Sequence, residues 1–338
     1  MLEKLLKRTA RYCEAEGLIS SGMGVLVACS GGADSLSLLD MLVRLSRLSR
    51  YDFRVEAAHF EHGIRKACGA SLADARFVEE FCRERGIPCR VGHGDVPALA
   101  SAQGLSLETA ARELRYAFLE RVRRERGLDV IATAHQADDQ AETVLMRLLR
   151  GTGIEGLSAM RPRARGRLPL IRPLLFATRR EIEEYCAARG LEPRQDATNG
   201  ELDCTRNRLR LETLPHLAAE YNPRLVQALC QLAKLSADET DFISEQADAV
   251  WPELVADGRL LARPFRQLHP VLQRIVLRRY WQLCTGSGKD LPFAHVERLR
   301  SVLLNGHAGS QQELPHGWLF RLQREGRLLF AVMAERKR

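Results

Sequence analysis

Six consecutive residues, Ser30-Gly31-Gly32-Ala33-Asp34-Ser35, combine two glycines, two hydroxyls and a carboxylate. Glycines let a backbone approach phosphate oxygens closely, the hydroxyls of Ser30 and Ser35 add donors, and the Asp34 carboxylate is of the type that holds Mg²⁺. The spacing is neither G-x-x-x-x-G-K-[ST] nor G-x-G-x-x-G, so γ-phosphate transfer is not its natural chemistry. Taken alone, the segment is an anion-binding turn.

Four further strings carry reactive side chains. His59-Phe60-Glu61-His62-Gly63-Ile64-Arg65 offers two imidazoles and a guanidinium suited to nucleotide and phosphate. In the string 107–116, Arg112 and Arg115 stand three apart and share one helix face, as an anion site needs. His135-Gln136-Ala137-Asp138-Asp139-Gln140-Ala141-Glu142 places Asp138 and Asp139 four and three residues before Glu142. A carboxylate cluster on one side of a helix suits Mg²⁺ or a cationic amine. The fourth, Asp196-Ala197-Thr198-Asn199 followed by Arg206-Asn207-Arg208-Leu209-Arg210, is a basic patch at a helix start.

The elements that must position these residues are legible from periodicity. Val25–Cys29 is a short apolar run of the fully buried, parallel-strand kind, and it ends where the glycine loop begins. Behind the loop, Leu36, Leu38, Leu39, Leu42, Val43 and Leu45 recur at helical spacing, and 55–59 offers a second strand. Helices over about 70–86, 106–126, 137–150 and 178–189 alternate with strands over about 88–92 and 130–134. Such alternation predicts an α/β fold, a Rossmann-like open parallel sheet with helices on both faces. The loop then sits where backbone N–H groups and the positive end of a helix dipole converge. From 216 onward the pattern is mainly helical, closing in short alternating runs near 318–320 and 328–332, so we expect domains at 1–215 and 216–338.

Composition sets the context. A chain of 338 residues, 45% hydrophobic, is long enough for about two domains. No stretch of 18 apolar residues is present and the first residues lack a signal-peptide pattern, so no membrane partner and a cytoplasmic location are expected. Nine cysteines without a C-x-x-C pair support neither a disulfide framework nor a closed zinc site. The formal charge of +8 fits a polyanionic partner.

Ser-Gly-Gly-x-Asp-Ser after an apolar strand resembles the PP-loop of the N-type ATP pyrophosphatases, which cleave ATP between the α and β phosphates to adenylate a carbonyl-type oxygen. The strings at 59–65, 107–116, 135–157 and 196–215 narrow the resemblance to the bacterial tRNA(Ile)-lysidine synthetases. It implies an adenine nucleotide alpha hydrolase-like fold, ATP and Mg²⁺ as cofactors, L-lysine and a tRNA(Ile) with a CAU anticodon as substrates, and it admits a homodimer. ATP would be bound by Ser30, Gly31, Gly32, Ala33, Asp34, Ser35, His59 and Arg112. Asp34, Arg112, Arg115, Asp138, Asp139 and Glu142 would be catalytic, with Asp34 and Asp138 or Asp139 holding the metal and Glu142 meeting the lysine amine. His62, Arg65, His135, Asn199, Arg206, Asn207 and Arg208 would bind substrate. Beyond 216, arginines such as Arg274, Arg278, Arg279, Arg298 and Arg300 would grip tRNA phosphates.

Two rivals are set against this reading. A tRNA thiolase of the same superfamily, of the kind related to cytidine thiolases, would carry Lys at position 33 and paired cysteines for an iron–sulfur cluster. Here position 33 is Ala and no such pair exists. A catalytically silent nucleotide or RNA binder would not explain the carboxylates at 138–142, which repel a bound phosphate unless a cation is present.

Overall fold

The structure, a computed structural model, describes residues 2–61, 70–166, 168–194, 205–286 and 291–335. His62, Arg65 and Asn199 lie outside the described residues. The chain divides into two compact units, residues 1–237 and 238–338.

In the first unit the elements run α1 (Leu2–Ala15), β1 (Gly24–Ala28), α2 (Ala33–Ser46), β2 (Arg54–Glu61), α3 (Ala70–Glu84), β3 (Cys89–His93), α4 (Val96–Gln103) and α5 (Leu107–Glu125). There follow β4 (Val130–Ala132), α6 (Ala137–Leu149), α7 (Ile154–Leu157), β5 (Leu170–Ile171), α8 (Arg179–Ala188) and α9 (Thr205–Arg208). A π-helical turn, Leu209–Thr213, leads into α10 (Leu214–Glu220), and α11 (Leu225–Leu254) begins in this unit and ends in the next.

The five strands are parallel in the order β3-β2-β1-β4-β5, with Val25 paired to Val55 on one side and to Val130 on the other. Alternate side chains of β1 enter opposite layers, as strand geometry requires. Val25 and Val27 pack with Leu38, Val78 and Ile182 from α2, α3 and α8, whereas Leu26 packs with Phe118, Leu119 and Val122 from α5. Burial on both faces explains the unbroken apolar runs of the strands. The chain moves from β1 outward to β3 and then returns to place β4 on the other side of β1. That reversal makes the carboxyl ends of β1 and β4 a topological switch point, the place where open α/β sheets hold ligands. Both strand ends lead directly into the segments with reactive side chains.

The second unit has its own core of Phe265, Tyr280, Trp281 and Phe320. Its helices, α12 (Ala262–Gln267), α13 (Pro270–Thr285) and α14 (Phe293–Asn305), pack with an antiparallel sheet. That sheet comprises β6 (Val255–Ala256), β7 (Arg259–Leu261), β8 (Gln311–Glu313), β9 (Trp318–Glu325) and β10 (Leu328–Glu335), in the order β6-β7-β10-β9-β8. The alternating runs near the end of the sequence are thus the β9–β10 hairpin of a five-stranded sheet within an otherwise helical unit. Four of the basic residues expected to meet tRNA here are engaged within the unit itself. Arg274 and Arg300 pair with Glu297 at 2.6 and 3.0 Å, Arg279 pairs with Asp248 at 2.6 Å, and Arg278 donates to the Leu291 carbonyl at 2.9 Å. Arg298 is exposed.

Among the described residues no helix is long and apolar enough to cross a membrane. The seven described cysteines are free thiols.

Candidate active site

The glycine loop folds around one hydroxyl. Ser35 Oγ accepts the N–H groups of Ser30 and Gly31 at 3.1 and 3.2 Å, donates to the Gly32 carbonyl at 3.0 Å, and lies 3.1 Å from Ser30 Oγ. Ser35 is buried, so its hydroxyl shapes the loop from within. Gly31 has φ +89°, in the region that favours glycine, and an added Cβ there would lie 3.3 Å from Val78. The helix α2 starts immediately after Gly32 without a side-chain cap, leaving the positive end of its dipole to the loop.

The loop opens onto a cavity with two lobes. The smaller, about 400 Å³, is lined by the end of β1, by Ala58, His59, Phe60 and Glu61 of β2, by Arg115 and Leu119 of α5, and by Thr133, Ala134 and His135. The larger, about 760 Å³, is lined by Gly32 and Ala33, by Arg179, Glu183, Cys186 and Ala187 of α8, by Leu191, Pro193 and Arg194, and by Arg210. Ser30, Asp34, Ser35, Asp74 and Asp139 line both lobes.

At that shared wall the Asp34 carboxyl is pushed up to about 6, first by burial and then by the neighbouring charge of Asp139, against the opposing pull of Arg179 and Arg210. Asp139 accepts the backbone N–H of Gln136 at 3.1 Å, within a capping box that starts α6. Its other oxygen meets Arg210 at 2.9 Å and Arg206 at 3.2 Å. Glu142, buried one turn further along, is held by the same two guanidiniums: Arg210 Nε at 2.5 Å and Arg206 Nε at 2.7 Å. These arginines come from α9 and the π-helical turn, which pack on α6 through Leu209 and Leu214 against Ala141 and Leu145. Asp138 turns elsewhere, accepting the backbone N–H of Arg179 at the start of α8 at 2.8 Å, and it lines neither lobe.

Of the two described histidines of the site, His59 is buried and His135 half-buried, and both have lowered pKa values. His59 Nδ1 donates to the Cys29 carbonyl at 2.9 Å, tying the end of β2 to that of β1 and leaving Nε2 as the acceptor; burial lowers its pKa. His135 Nδ1 lies 2.8 Å from Thr133 Oγ1, and its pKa falls to about 3, through burial first and then through Arg172, Arg115, Arg206 and Arg112. Four guanidiniums around a neutral imidazole make this corner strongly electropositive. Arg112 and Arg115 both stack on the Tyr116 ring, 5.0 and 5.2 Å from its centroid. Arg172 is buried, donating to the Arg161 carbonyl at 2.6 Å. Asn207 and Arg208 sit beside Arg206 on α9, where Arg208 is exposed.

Several lining residues had no signal in the sequence. Asp74, Arg179, Glu183 and Arg194 belong to no short string of recognisable spacing and reach the cavity only through the packing of α3, α8 and the segment after α8. Arg210 had a signal: it stands four residues after Arg206, on the same helical face.

No group of three or more His, Cys, Asp or Glu side chains among the described residues is placed to hold a metal ion. Asp34 and Asp139 supply two hard oxygen donors on one cavity wall, and the Asp34 pKa is raised first by burial and then by the Asp139 charge, both of which a bound cation would offset. Two carboxylates fit Mg²⁺ of the kind that keeps its waters and takes its remaining ligands from substrate phosphates.

The PP-loop domain family matches residues 2–217, and the TilS substrate binding domain matches 260–328. The chain is 36% identical to the tRNA(Ile)-lysidine synthase of Clostridium perfringens over 92% of its own length and 66% of that protein's. It is 36% identical to that of Dehalococcoides mccartyi over 96% of its own length and 70% of the relative's. It thus spans about two thirds of the length of these curated relatives. Among solved structures, the U34-tRNA thiolase NcsA from Methanococcus maripaludis with its [4Fe-4S] cluster matches 70% of this chain and 80% of its own, with a TM-score of 0.56. At 19% identity it shares the fold alone. By the match of both domains and by its curated relatives, the chain belongs to the tRNA(Ile)-lysidine synthase family of PP-loop proteins.

Proposed function

We propose that this protein joins L-lysine to C2 of the wobble cytidine of a tRNA(Ile) bearing a CAU anticodon, releasing AMP and diphosphate. The observation that carries the reading is the shared wall of the two lobes, where the loop, Asp34 and Asp139 meet. A nucleotide suits the smaller lobe: Ala28, Ala58, Phe60 and Leu119 offer apolar surface for a base, and His59 Nε2 offers an acceptor. Its phosphates would then lie over the loop, with the second substrate in the larger lobe.

In the first step the C2 carbonyl oxygen of cytidine attacks the α-phosphate and diphosphate leaves. Loop amides, the α2 dipole, Arg112 and Arg115 stabilise the charge gathering on phosphorus and on the leaving group. Asp34 and Asp139 would hold Mg²⁺, whose chemistry there is to offset phosphate charge. The cytidine must leave its anticodon stack to enter, as recognition of single-stranded RNA loops requires. In the second step the ε-amine of lysine attacks C2 and displaces AMP.

An amine with an ordinary pKa of about 10.4 must first lose a proton. Glu142 is the carboxylate we assign to hold it. Glu142 is paired with Arg206 and Arg210, which would exchange to the incoming phosphate and so release the carboxylate to the amine.

The test is incubation with tRNA transcripts, ATP and labelled lysine. Label in tRNA(Ile) is the expected result. AMP release that depends on a sulfur donor would make the protein a thiolase, and absence of ATP turnover would make it a binder.

A further inference from the structure

Three contacts converge on Gly31, each from a different element. Its N–H is taken by Ser35 Oγ, a Cβ added to it would lie 3.3 Å from Val78 and 3.5 Å from Phe77 of α3, and its carbonyl accepts the backbone N–H of Arg194 at 3.0 Å. The last contact comes from the segment that follows α8, and the Arg194 side chain extends from it to pair with Asp74 on α3. Arg194 thus joins three parts of the site: the loop through its main chain, α3 through its guanidinium, and the wall of the larger lobe that it lines. In a trans peptide the C=O and the following N–H point in opposite directions, so holding the Gly31 carbonyl also sets the direction of the Gly32 N–H. Gly32 lines the larger lobe.

We infer that Arg194, paired with Asp74, is a positioning residue for ATP: it latches the Gly31–Gly32 peptide so that the loop presents its amides to phosphate. The pair has a second effect on the same ligand. The Asp74 carboxylate lines both lobes, beside the place where phosphate charge would gather, and without Arg194 it would repel that charge. The inference rests on the ATP-binding part of the proposed function and is independent of lysine.

It is tested by equilibrium binding of a non-hydrolysable ATP analogue to the wild-type chain, Arg194→Ala, Asp74→Ala, the double variant and Arg194→Lys. tRNA affinity and thermal unfolding are measured alongside. Both groups are partly exposed, so the effects are modest. Arg194→Ala, which unties the segment that carries the latch and bares the carboxylate, should weaken the analogue about tenfold, and Asp74→Ala, which only unties the segment, about threefold. The double variant should fall between the two singles, and Arg194→Lys should stay within about twofold of wild type. tRNA affinity and unfolding temperature should not move. Singles that bind as wild type, a double variant weaker than both, or losses that track a fall in unfolding temperature overturn the inference. A wild-type chain that fails to bind the analogue overturns the ATP reading together with it. Normal ATP binding without lysine transfer overturns only the lysine assignment.

Discussion

Asp34 links stability to function most directly. Folding raises its pKa from 3.8 to about 6, so the ionised form is disfavoured in the fold relative to the unfolded chain. The sign follows from linkage: the group costs little below about pH 4, the cost grows between about pH 4 and pH 6, and above that it is full. Asp34→Asn should therefore raise the unfolding free energy of the ligand-free protein at pH 7.5 by up to about 3 kcal/mol and change it little at pH 4. The same variant should lose AMP formation while still binding tRNA. Thermal unfolding at the two pH values checks the first part, and an equal shift at both would contradict it. Asp34, Asp139, Glu142 and Arg206 were legible because each lies in a string whose spacing carries chemistry. Asp74 and Arg194 were not, since a pair so far apart in sequence is visible only once α3 and the segment after α8 are packed.

Among the elements, the alternation of short apolar runs and helical periods made the parallel sheet legible, and with it the placement of the loop at a strand end. The return of the chain that sets β4 beside β1 was not, because strand order leaves no trace in local pattern. Two-residue strands such as β5 and β6 fall below what periodicity detects, and three of the five strands in the sheet of the second unit have two or three residues. Close packing can hinge on one small residue. An added Cβ at Gly92 of β3 would sit 2.3 Å from the ring of Phe118, so this glycine sets how closely α5 approaches the sheet, and α5 carries Arg112 and Arg115. Gly92→Ala should destabilise the fold by about 1–3 kcal/mol through overpacking. Denaturant unfolding at a fixed pH checks it, and an unchanged midpoint would mean that the ring moves aside freely.

For the whole molecule, every residue that lines the two lobes belongs to the unit of residues 1–237. The cavity is thus assembled within one compact body, whereas the residues matched to the substrate binding domain lie in the other. The net charge of +8 suggests a polyanionic partner, and the curated relatives are named for tRNA(Ile). Charge alone could not say which arginines are available: Arg274, Arg279 and Arg300 are paired with acids of their own unit, and only the fold reveals those pairs. The central claim is that ATP activates the base by taking its carbonyl oxygen. A tRNA(Ile) carrying ¹⁸O at C2 of the wobble cytidine, incubated with ATP, lysine and the protein, tests it directly by mass spectrometry of the released nucleotide. The account predicts one ¹⁸O in AMP for each lysine joined; unlabelled AMP, or ADP in its place, would contradict it.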